Sequence, residues 1–167
     1  LDFPALPVHE CDFSFSMPTT VFKTLTEQVA FAAGDDETRR FLSSVCLDFK
    51  GSVLIAVATN TFRLALKEVN IESDFSKPEQ ILIPAKILTE ISRIIDSETE
   101  IKVSVGKRRV YFEIGNIYIV SRLIDEDYID YPRIIPSKFQ TKVIANRLAL
   151  LEATERINLL SEKAIKL

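Results

Sequence analysis

The stretch QILIPAKILTEISRIID, residues 80–96, decides the fold because a strand, a proline and a helix follow one another within it. The apolar run 81–83 predicts a buried strand, and Pro84 ends that strand because proline cannot donate to the ladder. Beyond the proline, apolar side chains recur at helical spacing. They are Ile87, Leu88, Ile91, Ile94 and Ile95.

The same order of elements occurs earlier in the chain and begins again later. In CDFSFS, Cys11, Phe13 and Phe15 alternate with polar residues, which predicts a half-buried strand. Pro18 follows and opens a helix over 18–33. The predicted helices begin near 18, 84 and 145, which indicates a repeat of about 60–66 residues. Apolar side chains form the stripe of the third helix: Leu148, Leu151, Ile157 and Leu160.

Strand-like runs follow the first two predicted helices. After the first helix they cover 41–49, 52–58 and 62–69, and Gly51 predicts a turn between the first two. After the second helix, Gly106 and Gly115 mark the turns between three more runs. Short turns require antiparallel neighbours. The sequence therefore predicts an α+β fold of repeated strand–helix–antiparallel-strand units, with two helices packed on antiparallel sheets.

Composition limits the functions that the chain could have. Its 167 residues fit one domain, or one domain with parts of its neighbours, and 47% are apolar. The net charge of −3, with balanced charge on each predicted helix, does not by itself predict nucleic-acid binding. No run of about 18 apolar residues occurs, and the chain starts without a basic segment, so we expect neither a membrane span nor a signal peptide. Pro4 and Pro7 predict an extended linker over 1–10.

Few residues suggest chemistry. Cys11 and Cys46 lie in strand-like stretches, and we expect two buried free thiols, with a disulfide as the alternative. His9 is the one histidine, so no zinc pattern can be assembled, and we expect no metal and no cofactor.

Two acidic clusters, 35–37 and 125–127, lie between predicted elements, and Asp130 follows the second. We interpret both as solvated loops, and the alternative is a hydrolase that uses Asp125 and Asp127. The basic run 107–109 is interpreted as a solvated turn. Because none of the common catalytic motifs occurs, we expect no enzyme.

The stretch VATNTFRLAL, residues 57–66, carries a resemblance. It is similar to the Ala-Thr-Asp-Gly-His-Arg-Leu-Ala string in the middle domain of the bacterial sliding clamp, the beta subunit of DNA polymerase III. FAAGDDETRRFLSSVCLDF (31–49) and SRLIDEDYIDYPRIIP (121–136) also resemble segments of this family, in the same order. The resemblance implies a DNA-clamp fold. It divides the chain into a linker from the end of the first clamp domain (1–10), a middle domain (11–136) and the start of the third domain (137–167).

The resemblance also implies a function. The family is a processivity factor of bacterial DNA replication, in which two three-domain subunits form a ring around duplex DNA without reading its sequence. Subunits of DNA polymerase III, the clamp loader and other partners dock a short peptide of Gln-x-x-Leu-Phe type into a pocket between the middle and third domains. The ring catalyses nothing and acts in the cytoplasm at the nucleoid. We expect a full-length homodimer, but a monomer for these 167 residues alone. The alternative is a general protein-interaction domain with no DNA role.

The site residues are assigned through the same resemblance. The part of the peptide pocket that this chain would supply consists of Leu42, Thr59, Thr61, Phe62, Arg63, Leu64, Ile129, Arg133 and Ile134. The residues expected to face DNA are Lys23, Lys86 and Arg93.

Five positions depart from the family pattern, and the first is Asn60, which stands where aspartate is usual. Thr61 stands where glycine is usual, so we expect a turn that avoids positive φ. Phe62 replaces a histidine, Glu126 a glycine and Ile129 a proline. These changes predict a pocket of altered shape.

Overall fold

The computed structural model describes residues 11–36, 38–95 and 100–160. The predicted linker 1–10, with His9, lies outside the described residues. The chain divides into two compact units, Leu1–Ile129 and Asp130–Leu167, and each is described by itself.

The first unit contains six strands and two α-helices in its described part. Short 3₁₀ helices at Ala30–Ala32 and Arg40–Ser43 lie between the first α-helix and the second strand. The elements are β1 (Phe13–Pro18), α1 (Thr19–Val29), β2 (Ser44–Thr59), β3 (Leu64–Pro84), α2 (Ala85–Ile94), β4 (Glu100–Val105), β5 (Arg109–Ile114) and β6 (Ile117–Arg122).

Every strand pair in the described structure is antiparallel. One sheet has the order β1-β4-β5-β6, and β2 and β3 form a long two-stranded sheet. Turns at Gly106 and Gly115 join the strands of the first sheet, as predicted. The predicted α+β class with antiparallel sheets is therefore confirmed.

Gly51 does not form the predicted turn. The two runs expected at 41–49 and 52–58 belong to one continuous strand, β2, and residues 41–43 lie in a 3₁₀ helix. Register shifts flank Gly51, whose φ of 59° is available to glycine at little cost. Because β3 has 21 residues and β2 has 16, the longer strand needs such irregularities to stay paired. The glycine thus marks a β-bulge, which a turn signal in the sequence cannot distinguish from a chain reversal.

Both α-helices begin directly after a proline that ends a strand. Pro18 precedes α1 with φ −57°, and Pro84 precedes α2 with φ −53°. Each helix buries one face at helical spacing, which α1 does through Phe22, Leu25 and Val29. The two helices contact each other as well as the strands. The predicted strand–proline–helix unit is confirmed in both places.

Aromatic side chains fill part of the core between the sheets. Phe49 is fully buried, and its ring centroid lies 5.3 Å from that of Phe13, 5.2 Å from that of Phe15 and 4.7 Å from that of Phe75. Such pairs contribute beyond their buried area. Replacing a buried phenylalanine by alanine costs about 3–5 kcal/mol. The bulged β2–β3 pair is therefore anchored to β1 by these rings.

The two cysteines are free, but only one is buried. Cys46 is inaccessible on β2, and burial, with the Asp48 carboxylate nearby, raises the pKa of its thiol to about 12. Cys11 is exposed, contrary to the expectation, because it precedes the first residue of β1. Alternation in the sequence cannot show where the pairing of a strand begins.

The second unit contains α3 (Tyr131–Ile134) and α4 (Arg147–Leu160) in its described part. Asn146 starts α4, because its Oδ1 accepts hydrogen bonds from the backbone N–H groups of Leu148 at 3.0 Å and Ala149 at 3.1 Å. The helix predicted near 145 is confirmed. The side chains of Leu148, Leu151 and Ile157 are exposed.

Candidate functional site

The turn between β2 and β3 is closed by hydrogen bonds within its own residues. Thr59 and Leu64 are the last paired residues of the two strands. The Thr59 hydroxyl donates to the Arg63 carbonyl at 2.7 Å and accepts from the Thr61 backbone N–H at 3.2 Å. The Asn60 N–H also donates to the Arg63 carbonyl, at 3.3 Å. One buried hydroxyl therefore links both sides of the turn.

Thr61 adopts φ 77°, so the expectation of a turn without positive φ is wrong. It is the one non-glycine residue with positive φ in the described part of the chain. The left-handed region costs a β-branched residue about 1–2 kcal/mol. The Asn60 side chain offsets this cost, because its Oδ1 accepts from the backbone N–H groups of both Phe62 and Arg63 at 3.1 Å. Side-chain hydrogen bonds thus maintain a backbone shape that glycine would adopt freely.

Arg63 is exposed, but its guanidinium has a fixed position. Nη2 donates to the Phe31 carbonyl at 2.7 Å, and Cζ lies 5.6 Å from the centroid of the Phe31 ring. Phe31 belongs to the 3₁₀ helix Ala30–Ala32 and is itself exposed. Phe62, beside Arg63, is 95% exposed. The turn therefore presents a free aromatic ring next to an arginine that is already oriented.

Leu42 and Leu64 have different surroundings. Leu42, in the 3₁₀ helix Arg40–Ser43, is buried, and its carbonyl accepts a 2.7 Å hydrogen bond from the Gly34 N–H. Leu64 is half-buried at the start of β3. A Cβ added at Gly34 would lie 3.3 Å from the Cβ of Asn60, so this segment also touches the turn. The structure brings residues 31–34, 42 and 59–64 together, and it adds Phe31 and Gly34 to the residues chosen from the sequence.

The segment 125–129 lies against the same region of the first unit. The Tyr128 hydroxyl donates to the Val57 carbonyl at 3.3 Å, and burial raises the pKa of this phenol above its ordinary value. The Tyr128 ring meets that of Phe41 edge-on, with centroids 6.4 Å apart. Ile129 follows directly and is half-buried. Its neighbour Tyr128 therefore fixes the position of this predicted pocket residue.

The remaining predicted pocket residues belong to the second unit. Arg133 and Ile134 lie in α3, and both are exposed. The Nε of Arg133 pairs with Oδ2 of Asp130 at 2.7 Å. Because these residues are exposed, the α3 pair is mostly screened by water.

The three cationic residues expected to face DNA are all exposed. Lys23 lies on α1, and Lys86 and Arg93 lie on α2. Arg93 pairs with Glu90 through a 2.8 Å contact, so part of its charge is compensated within the helix. Lys86, Glu90 and Arg93 line a groove of about 510 Å³, and Gly34 and Asp35 also line it.

The acidic clusters have structural partners within the described residues. Asp36 accepts hydrogen bonds from the hydroxyl and N–H of Thr38 and from Nε of Arg39, and these bonds hold the pKa of its carboxyl well below the usual range. In the second cluster, Glu126 pairs with Nε of Arg40 at 3.1 Å. Within the part of the chain that the structure describes, no three metal-ligating side chains come together.

The basic run 107–109 borders a wide cleft. Arg109 lies directly opposite Arg122 in the β5–β6 pair, and Lys107 and Arg108 are exposed at the turn before β5. The cleft, of about 1020 Å³, also has Asp12, Glu79, Asp125, Glu126 and Asp127 in its walls. Its charges are therefore balanced, as expected of a solvated surface.

The sequence that forms this turn, the two helices and the sheets matches a known protein family. The model for the central domain of the DNA polymerase III beta subunit matches residues 16–130. The chain belongs to this family. The beta sliding clamp of Bacillus subtilis (strain 168) is 32% identical over 163 residues, and that of Treponema pallidum (strain Nichols) is 31% identical over 161. The crystal structure of the DNA polymerase sliding clamp from Bacillus subtilis superimposes with a TM-score of 0.90 at 31% identity and covers 97% of this chain.

The match covers nearly all of this chain but less than half of each relative. The chain spans 43% of the length of both beta sliding clamps and of the solved Bacillus subtilis structure. The resemblance inferred from residues 31–49, 57–66 and 121–136 is confirmed, and so is the clamp fold. None of the described helices is long and apolar enough to cross a membrane.

Proposed function

We propose that this chain forms the central part of a beta sliding clamp, a processivity factor of bacterial DNA replication that docks its partners through a peptide pocket. The match over residues 16–130 supports the role, and the β2–β3 turn supports the site. In such a clamp the chain would act as a scaffold without catalysis or cofactor, in the cytoplasm at the nucleoid. DNA polymerase III subunits and the clamp loader would be its peptide-bearing partners.

The first unit would supply an oriented polar group beside apolar surface. Arg63 is held against Phe31, so little side-chain entropy remains to be lost when it donates to a peptide. Phe62 adds an exposed ring where a peptide side chain can pack. Thr59, Thr61, Leu42, Leu64 and Ile129 complete the set that the first unit would supply. Arg133 and Ile134 of the second unit are proposed as pocket residues from the resemblance alone.

Peptide binding tests this proposal directly. A fluorescent peptide of Gln-x-x-Leu-Phe type is titrated against the 167-residue chain, its Arg63→Ala variant and its Arg108→Ala variant. Arg108 is the matched control, because it is an exposed arginine at a turn outside the proposed pocket. We expect Arg63→Ala to weaken binding about tenfold, as the loss of one charge-assisted hydrogen bond would do. We expect Arg108→Ala to bind like the wild type. Equal affinities for all three proteins, or no binding to any, would refute the pocket.

We further propose that Lys23, Lys86 and Arg93 face duplex DNA in the assembled ring. Their exposure on α1 and α2 supports a phosphate-contacting role, whereas the Glu90–Arg93 pair predicts a weak contribution from Arg93. In a full-length clamp with this central sequence, Lys86→Gln should lower the dependence of DNA affinity on salt concentration by about one phosphate contact. Lys107→Gln, on the β4–β5 turn, serves as the control. An unchanged salt dependence in the Lys86 variant would favour a protein-interaction domain with no DNA role.

A subunit ring would need more chain than these 167 residues, which span 43% of the relatives' length. We therefore propose that full-length subunits form a homodimeric ring and that the 167-residue chain alone is a monomer. Light scattering of the purified chain should give a mass near 18.9 kDa. A stable dimer at micromolar concentration would overturn this assignment.

A further inference from the structure

One carboxylate joins two segments that are far apart in the sequence. The segment 40–43 contains Leu42, and the segment 125–129 contains Ile129, so each supplies one residue of the proposed pocket. Glu126 contacts the first segment from the second. We propose that Glu126 is a positioning residue that holds these two sides of the pocket in register. The inference rests on the proposed peptide-binding function.

Both oxygens of the Glu126 carboxylate have a partner in the first segment. Oε1 accepts from Nε of Arg40 at 3.1 Å, and Oε2 accepts from the backbone N–H of Phe41 at 3.2 Å. Phe41 is the second residue of the 3₁₀ helix, where a backbone N–H has no partner inside the helix. The carboxylate therefore caps the helix from a distance of 85 residues in the chain.

Two further contacts give the bridge a definite geometry. The Phe41 and Tyr128 rings meet edge-on, and the Tyr128 hydroxyl is bonded to the Val57 carbonyl of β2. Residue 41 is therefore held by a ring contact on its side chain and by Glu126 on its backbone. Leu42 and Ile129 are the immediate chain neighbours of Phe41 and Tyr128. A shift of Glu126 relative to Phe41 would therefore move both Leu42 and Ile129.

The exposure of the Arg40–Glu126 ion pair indicates that Glu126 positions the segment more than it stabilises the fold. The side chain of Arg40 is 62% exposed and that of Glu126 is 28% exposed, so the ion pair is screened by water and contributes little stability. The backbone hydrogen bond to Phe41 is directional, and it fixes where the 3₁₀ helix begins. Removing the carboxylate should therefore change peptide affinity more than it changes unfolding.

Four variants test the proposal with the fluorescent Gln-x-x-Leu-Phe-type peptide. Glu126→Ala should weaken binding about fivefold, because the two pocket segments lose the hydrogen bond that joins them. Glu126→Gln should stay within about twofold of the wild type, because its amide oxygen still accepts from the Phe41 N–H. Arg40→Gln should do the same, since the cap remains. Asp127→Ala is the matched control, because Asp127 is an exposed carboxylate of the same loop with no ion pair among the described residues.

Backbone hydrogen exchange distinguishes a local positioning role from a general stabilising role, because it reports the exchange rate of each amide separately. The Phe41 amide should exchange faster in Glu126→Ala and stay protected in Glu126→Gln, while the amides of β4 and β5 remain unchanged. If Glu126→Ala does not fold, Arg40→Glu replaces it, because a like charge at this exposed position repels the carboxylate from Phe41. That variant should also bind about fivefold more weakly.

The outcomes distinguish this inference from the proposed function. If Arg63→Ala weakens binding but Glu126→Ala binds like the wild type, the pocket stands and the positioning role is refuted. Equal losses in Glu126→Ala and Asp127→Ala would also refute it, since they would report only the charge of the loop. If the wild type does not bind the peptide, the proposed function itself fails.

Discussion

Two turns of the first unit both need a backbone with positive φ, and they obtain it in different ways. The turn between β5 and β6 uses Gly115, with φ 55°, and apart from its chain neighbours no residue has an atom within 4 Å of the position that a Cβ would occupy. The turn between β2 and β3 uses Thr61, with φ 77°. The first turn suits its residue, whereas the second is maintained by hydrogen bonds that its backbone N–H groups donate to the side-chain oxygens of Thr59 and Asn60.

The difference shows where this fold stores backbone strain. Gly115 lies at an exposed turn, away from every proposed pocket residue in the sequence. Thr61 directly precedes Phe62, whose ring is exposed, and Arg63, whose guanidinium is oriented. Strained residues persist only where their surroundings determine them, and they occur often at binding sites. The β2–β3 turn therefore depends on its neighbours in a way that the β5–β6 turn does not.

Among substitutions in the two turns, Thr59→Val should lower the free energy of unfolding most. The valine keeps the shape of the side chain but removes the buried hydroxyl that bonds Arg63 and Thr61. We expect a loss of about 2 kcal/mol in the free energy of unfolding, because the Arg63 carbonyl and the Thr61 N–H lose a partner. Urea unfolding measures it, and Thr24→Val on the exposed face of α1 is the control. A loss below about 0.5 kcal/mol would mean that the hydroxyl does not maintain the turn.

Asn60→Ala should have the second largest effect, a loss of about 1.5 kcal/mol in the free energy of unfolding. The change removes the side-chain oxygen that accepts from Phe62 and Arg63, and it leaves the Thr61 backbone without that support. Asn116→Ala, in the glycine turn, is the matched control and should cost under about 0.5 kcal/mol. Equal losses at the two asparagines in the same urea experiment would remove the distinction between the turns.

Gly115→Ala should cost about 1 kcal/mol. A Cβ meets no atom there, so the cost comes from the left-handed backbone alone and is partly offset by a less flexible unfolded chain. Thermal unfolding should show a lower midpoint with unchanged peptide binding. A change in peptide affinity would contradict the separation of this turn from the proposed site.

Thr61→Gly should have the smallest effect and the opposite sign. Relief of the left-handed strain exceeds the added flexibility of the unfolded chain, so we expect a gain of about 0.5 kcal/mol. The unfolding midpoint in urea reports the change. A loss of stability would show that the Thr61 side chain makes a favourable contact larger than its backbone strain.

The sequence predicted the repeated units well because their signals are local. A proline after an apolar strand and before a periodic helix occurs at Pro18 and at Pro84, and both units formed as predicted. Gly51 was misread because a bulge and a turn use the same residue type. The difference between them depends on β3, whose pairing partners lie up to 40 positions away along the chain.

The candidate site was less accessible to sequence reasoning. The resemblance named Arg63, but the Phe31 carbonyl that orients it is 32 positions distant. The sequence presents Glu126 as a loop charge and a departure from the family pattern, but its bond to Phe41 spans 85 positions. Thr61 was expected to avoid positive φ, because β-branched residues rarely adopt it. The hydrogen bonds that support this conformation cannot be read from the sequence. Contacts of this kind follow from tertiary structure and not from local pattern.

The β2–β3 pair has a consequence for how the chain folds. At the turn, Thr59 pairs with Leu64, whereas Ser44 at the far end pairs with Pro84. Closing a short loop costs less entropy than closing a long one, so the strand pairs of this hairpin should form first next to the Thr61 turn and then progressively farther from it. Until Thr61 has entered the left-handed region, the backbone groups of both strands would remain unpaired. The backbone conformation of Thr61 would in this way also affect how long the newly made chain stays prone to aggregation.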